Sequence, residues 1–190
     1  MRRCRFATIV LVPIVLIGLG WSHAARGADK SAIEQAQALW QEGYVLHILG
    51  RFERAAEAFR KSIEAHPTAE GHTYLGWSLS RLGLTDEAID ECEKAILLDP
   101  DYGNPYNDIG AYLIELGRAN EATPWFEKAA RAKRYCCYQF PHFNMGRVLL
   151  MEGRFAEAKR SFEKALEYEP NYPLAKRALE LIREHELKSL

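Results

Sequence analysis

Two adjacent cysteines, Cys136 and Cys137, have the most direct capacity for chemistry in this 190-residue chain. An oxidising compartment would permit a disulfide between them. Neighbours in sequence close only a strained ring, and such a bond is labile. The pair therefore reads as a redox switch, an intermolecular link or an accident of sequence. Metal binding has little to build on: there is no CxxC spacing, and the nearest imidazole, His142, lies across the start of a helix. His47, His66, His72 and His185 are scattered over different elements, and none stands at a nucleophile–carboxylate spacing. No phosphate-cradling glycine loop is present. The chain offers no catalytic residue, no metal ligand set and no cofactor site, so an enzyme is not expected.

What would position side chains in this sequence is a helical hairpin. Residues 143–170, FNMGRVLLMEGRFAEAKRSFEKALEYEP, hold one apolar-periodic segment ending at Gly153 and a second from Phe155 to about Tyr168, closed by Pro170. Gly146 and Ala158 are small where two helices approach; Leu149, Phe155 and Phe162 fill the space between. A lone hairpin cannot bury its apolar faces. The chain supplies neighbours. The first-helix glycine recurs as Gly43, Gly76, Gly110 and Gly146, and the turn glycine as Gly50, Gly83, Gly117 and Gly153. The second-helix alanine recurs as Ala55, Ala88, Ala122 and Ala158. All three series step by 33, 34 and 36 residues. Cys92 occupies the slot that Phe59, Phe126 and Phe162 take in the other repeats, which marks it as a buried space-filler.

This pattern resembles the tetratricopeptide repeat family, most clearly in Leu75-Gly76, Gly83, Ala88, Ala95, Pro100 and in Gly146, Gly153, Ala158, Phe162, Ala165, Pro170. The resemblance spans about residues 36–172 and implies an all-α, right-handed α-solenoid. Its four helix-turn-helix repeats are expected at 36–69, 70–102, 103–138 and 139–172, with a capping helix over 173–187. Ser31 and Glu34 have capping-box spacing, so the first helix is expected to start just after Ser31 and run to about Leu49. Its partner covers 52–65. The second pair covers 69–82 and 86–98, with Thr85 as N-cap. The third opens at Asn104-Pro105, turns at Gly117 and continues over 119–132, with Pro124 near the helix start. Arg134 stands where the family expects proline, the Tyr135–Tyr138 stretch lengthens the connection, and Pro141 restarts the helix. In the last helix Leu174, Ala178, Leu181 and Ile182 are expected to share the buried face.

In this family the first helix of each pair lines a concave groove in which peptides lie. Carried onto this sequence, the resemblance implies groove positions at Trp40, Gln41, Tyr44 and His47, then Tyr74, Trp77 and Arg81. Asn107, Asp108 and Glu115 follow, then Phe143, Asn144, Arg147 and Met151. The binding residues expected are Trp40, Tyr44, His47, Tyr74, Trp77, Arg81, Asn107, Asn144 and Arg147. Aromatics and arginine are over-represented at binding hot spots, and Asn107 and Asn144 suit an extended peptide backbone. The competing role for Trp40, Tyr74 and Phe143 is packing against the neighbouring repeat, which is favoured for Phe143. Asn144 and Arg147 are not required for packing on this reading. Some family members clamp a chaperone's C-terminal carboxylate with two lysines, two asparagines and an arginine. The matching positions here hold Trp40, Tyr44, Tyr74, Asn104 and Asp108, so that specialisation does not carry over.

The N-terminus has its own logic. MRRCR is basic, residues 6–21 are uncharged and apolar, and Ser22-His23-Ala24 and Ala25-Arg26-Gly27 put small residues at −3 and −1 of a cleavage site. Residues 1–27 read as a secretory signal peptide. An uncleaved anchor is the alternative, though the run is short for a span and Pro13 interrupts it. Either way the body, residues 28–190, is exported: periplasmic or secreted, or anchored in the inner membrane and facing the periplasm. Without residues 1–27, 21 basic residues face 26 acidic ones, a net −5 that argues against nucleic acid. A membrane is implied only through an uncleaved N-terminus. The expectation is a non-catalytic protein-binding module or scaffold of the bacterial envelope, holding a peptide or protein segment in its groove. The alternative is a structural assembly factor, pilus- or secretion-system-associated, docking through its convex face or its ends, with Trp125 and the Tyr135–Tyr138 loop as contacts. Residues 110–170 also resemble the corresponding repeats of type IV pilus pilotins. Those are lipoproteins, whereas here no cysteine follows the apolar run in position to carry lipid.

Overall fold

The structure, a computed structural model, describes the backbone of residues 18–188 and the side chains of residues 29–188. Among the described residues the chain is helical and forms four hairpins and a final helix. The hairpins are α1 (Gly18–Ile48) with α2 (Phe52–Ala65), α3 (Ala69–Arg81) with α4 (Thr85–Leu98), α5 (Gly103–Glu115) with α6 (Thr123–Arg131), and α7 (Gln139–Met151) with α8 (Phe155–Tyr168). The final helix is α9 (Pro173–Lys188). A 3-10 turn, Ala119–Glu121, precedes α6 and absorbs Pro124, which falls in the first turn of α6 where its missing N–H breaks no helical bond. The hairpins turn at Gly50, Gly83, Gly117 and Gly153, with φ of 71°, 79°, 74° and 74°. This left-handed conformation is what selects glycine there.

Within each hairpin a glycine of the first helix receives a ring from the second. A Cβ at Gly43 would lie 2.8 Å from Phe59, at Gly110 2.5 Å from Phe126, and at Gly146 2.6 Å from Phe162. All three rings are fully buried. In the second hairpin Cys92 takes the ring's place, fully buried and 3.4 Å from a Gly76 Cβ, as its slot in the repeat predicts. Core follows core along the array: Phe59, Leu75, Leu79, Ile109, Leu113, Phe126 and Val148 belong to one continuous cluster, and Phe162, Ala165, Ala175 and Ile182 to a second under α9.

Several helix starts differ from expectation. Ser31 caps nothing: α1 already runs from Gly18, passes through the expected boundary at residue 27, and leaves Ser31 exposed in mid-helix. The rest of the expected signal peptide, residues 1–17, lies outside the described residues. Among the described residues no helix is long and apolar enough to cross a membrane. Thr85 is the first residue of α4 rather than its cap, and α5 begins at Gly103, one residue before Asn104, without a side-chain cap. Thr68 caps α3, its hydroxyl accepting from the Gly71 N–H at 3.0 Å. Pro141 lies inside the first turn of α7, which opens at Gln139.

The face of α9 is also rotated from expectation. Ala175 and Ile182 are buried, with Ala178 and Leu179 packed beside them, whereas Leu174 and Leu181 are 56% and 48% exposed. Positions 175, 178, 179 and 182 follow helical spacing one residue away from the leucines. Alanines here let α9 lie close on Phe162 and Ala165, which a leucine stripe would prevent.

Candidate protein-binding groove

The inner side of the array follows from which helices touch. α3 contacts α1 and α5, and α5 contacts α7, while no comparable contact joins α2, α4, α6 and α8 to one another. The row whose members approach most closely lies inside the curve, so α1, α3, α5 and α7 form the concave face.

The first two inner helices carry an aromatic cluster. Trp40 stacks on Tyr44, ring centroids 5.4 Å apart and planes within 4°, and meets the edge of Tyr74 at 4.9 Å. Tyr74 lies 4.4 Å from Trp77 and 5.6 Å from Tyr44. His47 sits between Phe52 at 5.3 Å and Trp77 at 6.2 Å, and the Arg81 guanidinium lies 5.0 Å over the Phe52 ring. Trp40 and Tyr74 also pack against the main core, while Tyr44 remains 37% exposed. Offset and edge contacts of this kind hold aromatic side chains in fixed orientations.

Side-chain hydrogen bonds tie each inner helix to the next. His47 Nδ1 is 3.0 Å from Ser78 Oγ. The Ser78 hydroxyl also reaches the Tyr74 carbonyl at 3.2 Å. Burial, and then Arg81, lower the His47 pKa below the ordinary histidine value. Between α3 and α5 the Trp77 indole donates to Asp108 Oδ2 at 2.5 Å. Burial pushes the Asp108 carboxyl up to about 7, and the hydrogen bonds from Trp77 and Asn107 act against that rise. Between α5 and α7 Asn144 Nδ2 donates to Asn107 Oδ1 at 3.1 Å, and Arg147 donates to Asn144 Oδ1 at 3.1 Å.

A cavity of about 340 Å³ opens at the α1 end. Ile33, Ala36, Gln37 and Trp40 form one wall; Ser62, His66, Thr68 and Glu70 form the other. The wall is mostly apolar, and the Ser62 hydroxyl in it is turned onto the Ala36 carbonyl at 2.7 Å. Trp40 carries the one buried side-chain polar atom among the described residues without a hydrogen-bond partner, its indole Nε1.

The expected binding residues thus separate into two groups. Trp40, Tyr44, His47, Tyr74, Trp77 and Arg81 come together in one cluster, and Asn107, Asn144 and Arg147 in another, joined through Asp108. Asn144 is 8% exposed and holds α7 to α5, so its amide serves packing as well, against the expectation. Phe143 has the expected packing role, but on Phe162 and Tyr172 of its own repeat, at 5.4 and 5.2 Å, rather than on a neighbouring one. Gln41 and Glu115 are exposed, and Met151 is 61% exposed. Ser78, Phe52 and the cavity residue Gln37 were not singled out by the sequence, since no periodic feature sets them apart, and His66 figured there only as one of the scattered histidines.

Models of the tetratricopeptide repeat match residues 41–105, 106–134 and 140–172. The chain belongs to the tetratricopeptide repeat family. Members of this family are generally non-catalytic modules of protein–protein interaction. The chain is 30% identical over 146 residues to the type IV pilus assembly protein PilF of Pseudomonas aeruginosa, covering 76% of this chain and 58% of that one. It is 30% identical over 97 residues to small glutamine-rich tetratricopeptide repeat-containing protein 2 of Mycosarcoma maydis, covering 50% of this chain and 28% of that one. It therefore spans less than two thirds of either relative. The solved structure of Pseudomonas aeruginosa PilF superposes with a TM-score of 0.77 at 26% identity, over 83% of this chain and 72% of that one.

Proposed function

We propose that this chain is an exported, non-catalytic adaptor that holds an extended segment of a partner protein along the inner face of α1, α3, α5 and α7. One observation carries the reading: a largely apolar cavity of about 340 Å³ at the α1 end of the array, between α1 and the α2–α3 connection, with Trp40 in its wall. Tyr44 offers the exposed ring beside it, and Arg147 the charge at the far end. Residues 28–190 are the working body in this reading, and the basic-apolar N-terminus directs it to the envelope.

The experiment is site-specific photo-crosslinking in the cell. A benzophenone side chain at Gln37 or Tyr44 samples the groove, and one at Leu97, 82% exposed on α4, samples the outer row. A single partner captured from Gln37 and Tyr44 and absent from Leu97 is the expected result. Capture from Leu97 alone would sink the groove reading.

The similarity to PilF supports a second reading, in which the partner belongs to a type IV pilus or related assembly apparatus and is met at the end of the array. The exposed leucines of α9, Leu174, Leu181 and Leu187, supply an apolar surface for it. Crosslinking from Leu181, with none from Gln37, is the outcome that favours this reading.

A further inference from the structure

The connection between α6 and α7 is where the repeat step lengthens to 36 residues, and both its ends are fixed. Upstream, the Arg134 N–H donates to the Asp101 carbonyl at 2.9 Å, and the Gly103 N–H donates to the Arg134 carbonyl at 3.1 Å. The Arg134 guanidinium bonds Asp99 and Glu70 at 2.7 and 2.6 Å and lies 4.0 Å over the Tyr102 ring. Tyr135 is buried against Gly103, where a Cβ would come within 2.5 Å of it. Downstream, the Tyr138 hydroxyl donates to the Ala132 carbonyl at 2.8 Å, and its ring lies 5.3 Å from Tyr168. Between these anchors stand two free thiols, Cys136 exposed and Cys137 half-buried, with Sγ atoms 2.8 Å apart.

We propose that Cys136 and Cys137 are a redox-modification site, a dithiol that closes to a vicinal disulfide by exchange with a protein or small-molecule disulfide. The exposed Cys136 thiolate attacks one sulfur of the oxidant, whose other sulfur leaves as a thiolate and takes up a proton. Cys137, as thiolate, then attacks the Cys136 sulfur of the mixed disulfide, expelling the oxidant's second thiol. Two protein thiols lose two electrons and two protons, and one external disulfide becomes two thiols. The division of labour follows from position: Cys136 faces solvent, while Cys137 packs beside Ala132 and Tyr135. Burial and the neighbouring Cys136 push the Cys137 thiol up to about 11 in the dithiol, which makes it the poorer opening nucleophile of the two. Fixed ends hold the two sulfurs together, so the second step is intramolecular. Cys92, fully buried in the ring slot, takes no part. The bond would fix the backbone between Tyr135 and Tyr138, the segment that joins the third hairpin to the fourth.

The full chain, reduced and then incubated with glutathione disulfide, tests this by native alkylation and mass spectrometry. Expected is the loss of two alkylatable thiols per chain, a monomer two hydrogens lighter, and one peptide containing both linked cysteines. Phenylarsine oxide, which bridges vicinal dithiols, should protect the reduced form from alkylation and leave the oxidised form untouched. In Cys137→Ser the reaction should stop at a glutathione adduct on Cys136, at least tenfold longer-lived than in the parent. A stable glutathione adduct on the parent, a disulfide-linked dimer, or unchanged thiol content after prolonged oxidation would each overturn the proposal.

Discussion

Asp108 concentrates the electrostatics of the inner face in one carboxyl. Its pKa in the fold, about 7, lies above the unfolded value near 3.8, so between these two pH values the folded chain holds a proton that the unfolded chain has released. The contribution of Asp108 to stability is therefore greatest below that window and is lost as pH rises towards and through 7. Asp108→Asn keeps an oxygen to accept from Trp77 and removes the charge. Thermal melts of both proteins at pH 5 and pH 8 should show the variant gaining on the parent at the higher pH, by on the order of 1–2 kcal/mol for this largely buried group. An unchanged difference between the two pH values would mean that Asp108 titrates as an ordinary exposed carboxylate. The importance of this residue was hidden in the sequence. An aspartate among groove positions reads as a surface charge until Trp77, 31 residues earlier, is seen to donate to it.

At the scale of the element, the hairpins were legible and their beginnings were not. Turn glycines and their partners recur at a fixed step because φ near +75° and a ring packed on a bare Cα each leave little choice of residue. Helix starts carry no such demand here. Arg51, Leu84 and Arg154 precede α2, α4 and α8 with nearly the same backbone angles, φ of −94°, −90° and −87°, and none caps with its side chain. The tight turn itself launches the second helix, so reading a capping residue from sequence misplaced the start at Thr85. The face of α9 was misread in part for a different reason: Leu174 and Leu181 were assumed to point inward, whereas the close approach selects Ala175 beside the expected Ala178 and Ile182. Ile182→Ala should cost about 2–4 kcal/mol as a core truncation, while Leu181→Ala should stay within about 0.5 kcal/mol. Urea denaturation of the two variants decides which leucine or isoleucine faces the stack.

At the scale of the whole molecule, stability is a sum over hairpins and the contacts between neighbours. Arg134 is unusual in reaching across this scheme, since one guanidinium joins the start of α3, the end of α4 and the connection to α7. Its pairs are solvent-exposed, so Arg134→Ala should cost only about 1 kcal/mol in total. The loss should be localised, however. Hydrogen exchange should rise in Gly103–Glu115 and Gln139–Met151 and remain unchanged in Phe52–Ala65. A uniform rise along the chain would mean that the hairpins unfold as one unit.

The side-chain bonds between inner helices have a mechanical consequence. Each hairpin is locked by a side chain seated against a small residue, a contact that yields only if the side chain is withdrawn. Each junction on the concave side carries, beside its apolar contacts, a short polar link: His47 to Ser78, Trp77 to Asp108, Asn144 to Asn107. The hairpins are therefore the stiffer units of the array and the junctions the places where it can bend. Tension applied along the inner face loads those links first, and the hairpins fan apart while each remains whole. A segment lying in the groove spans the junctions and would work as a tendon, setting the curvature of the molecule by its own length.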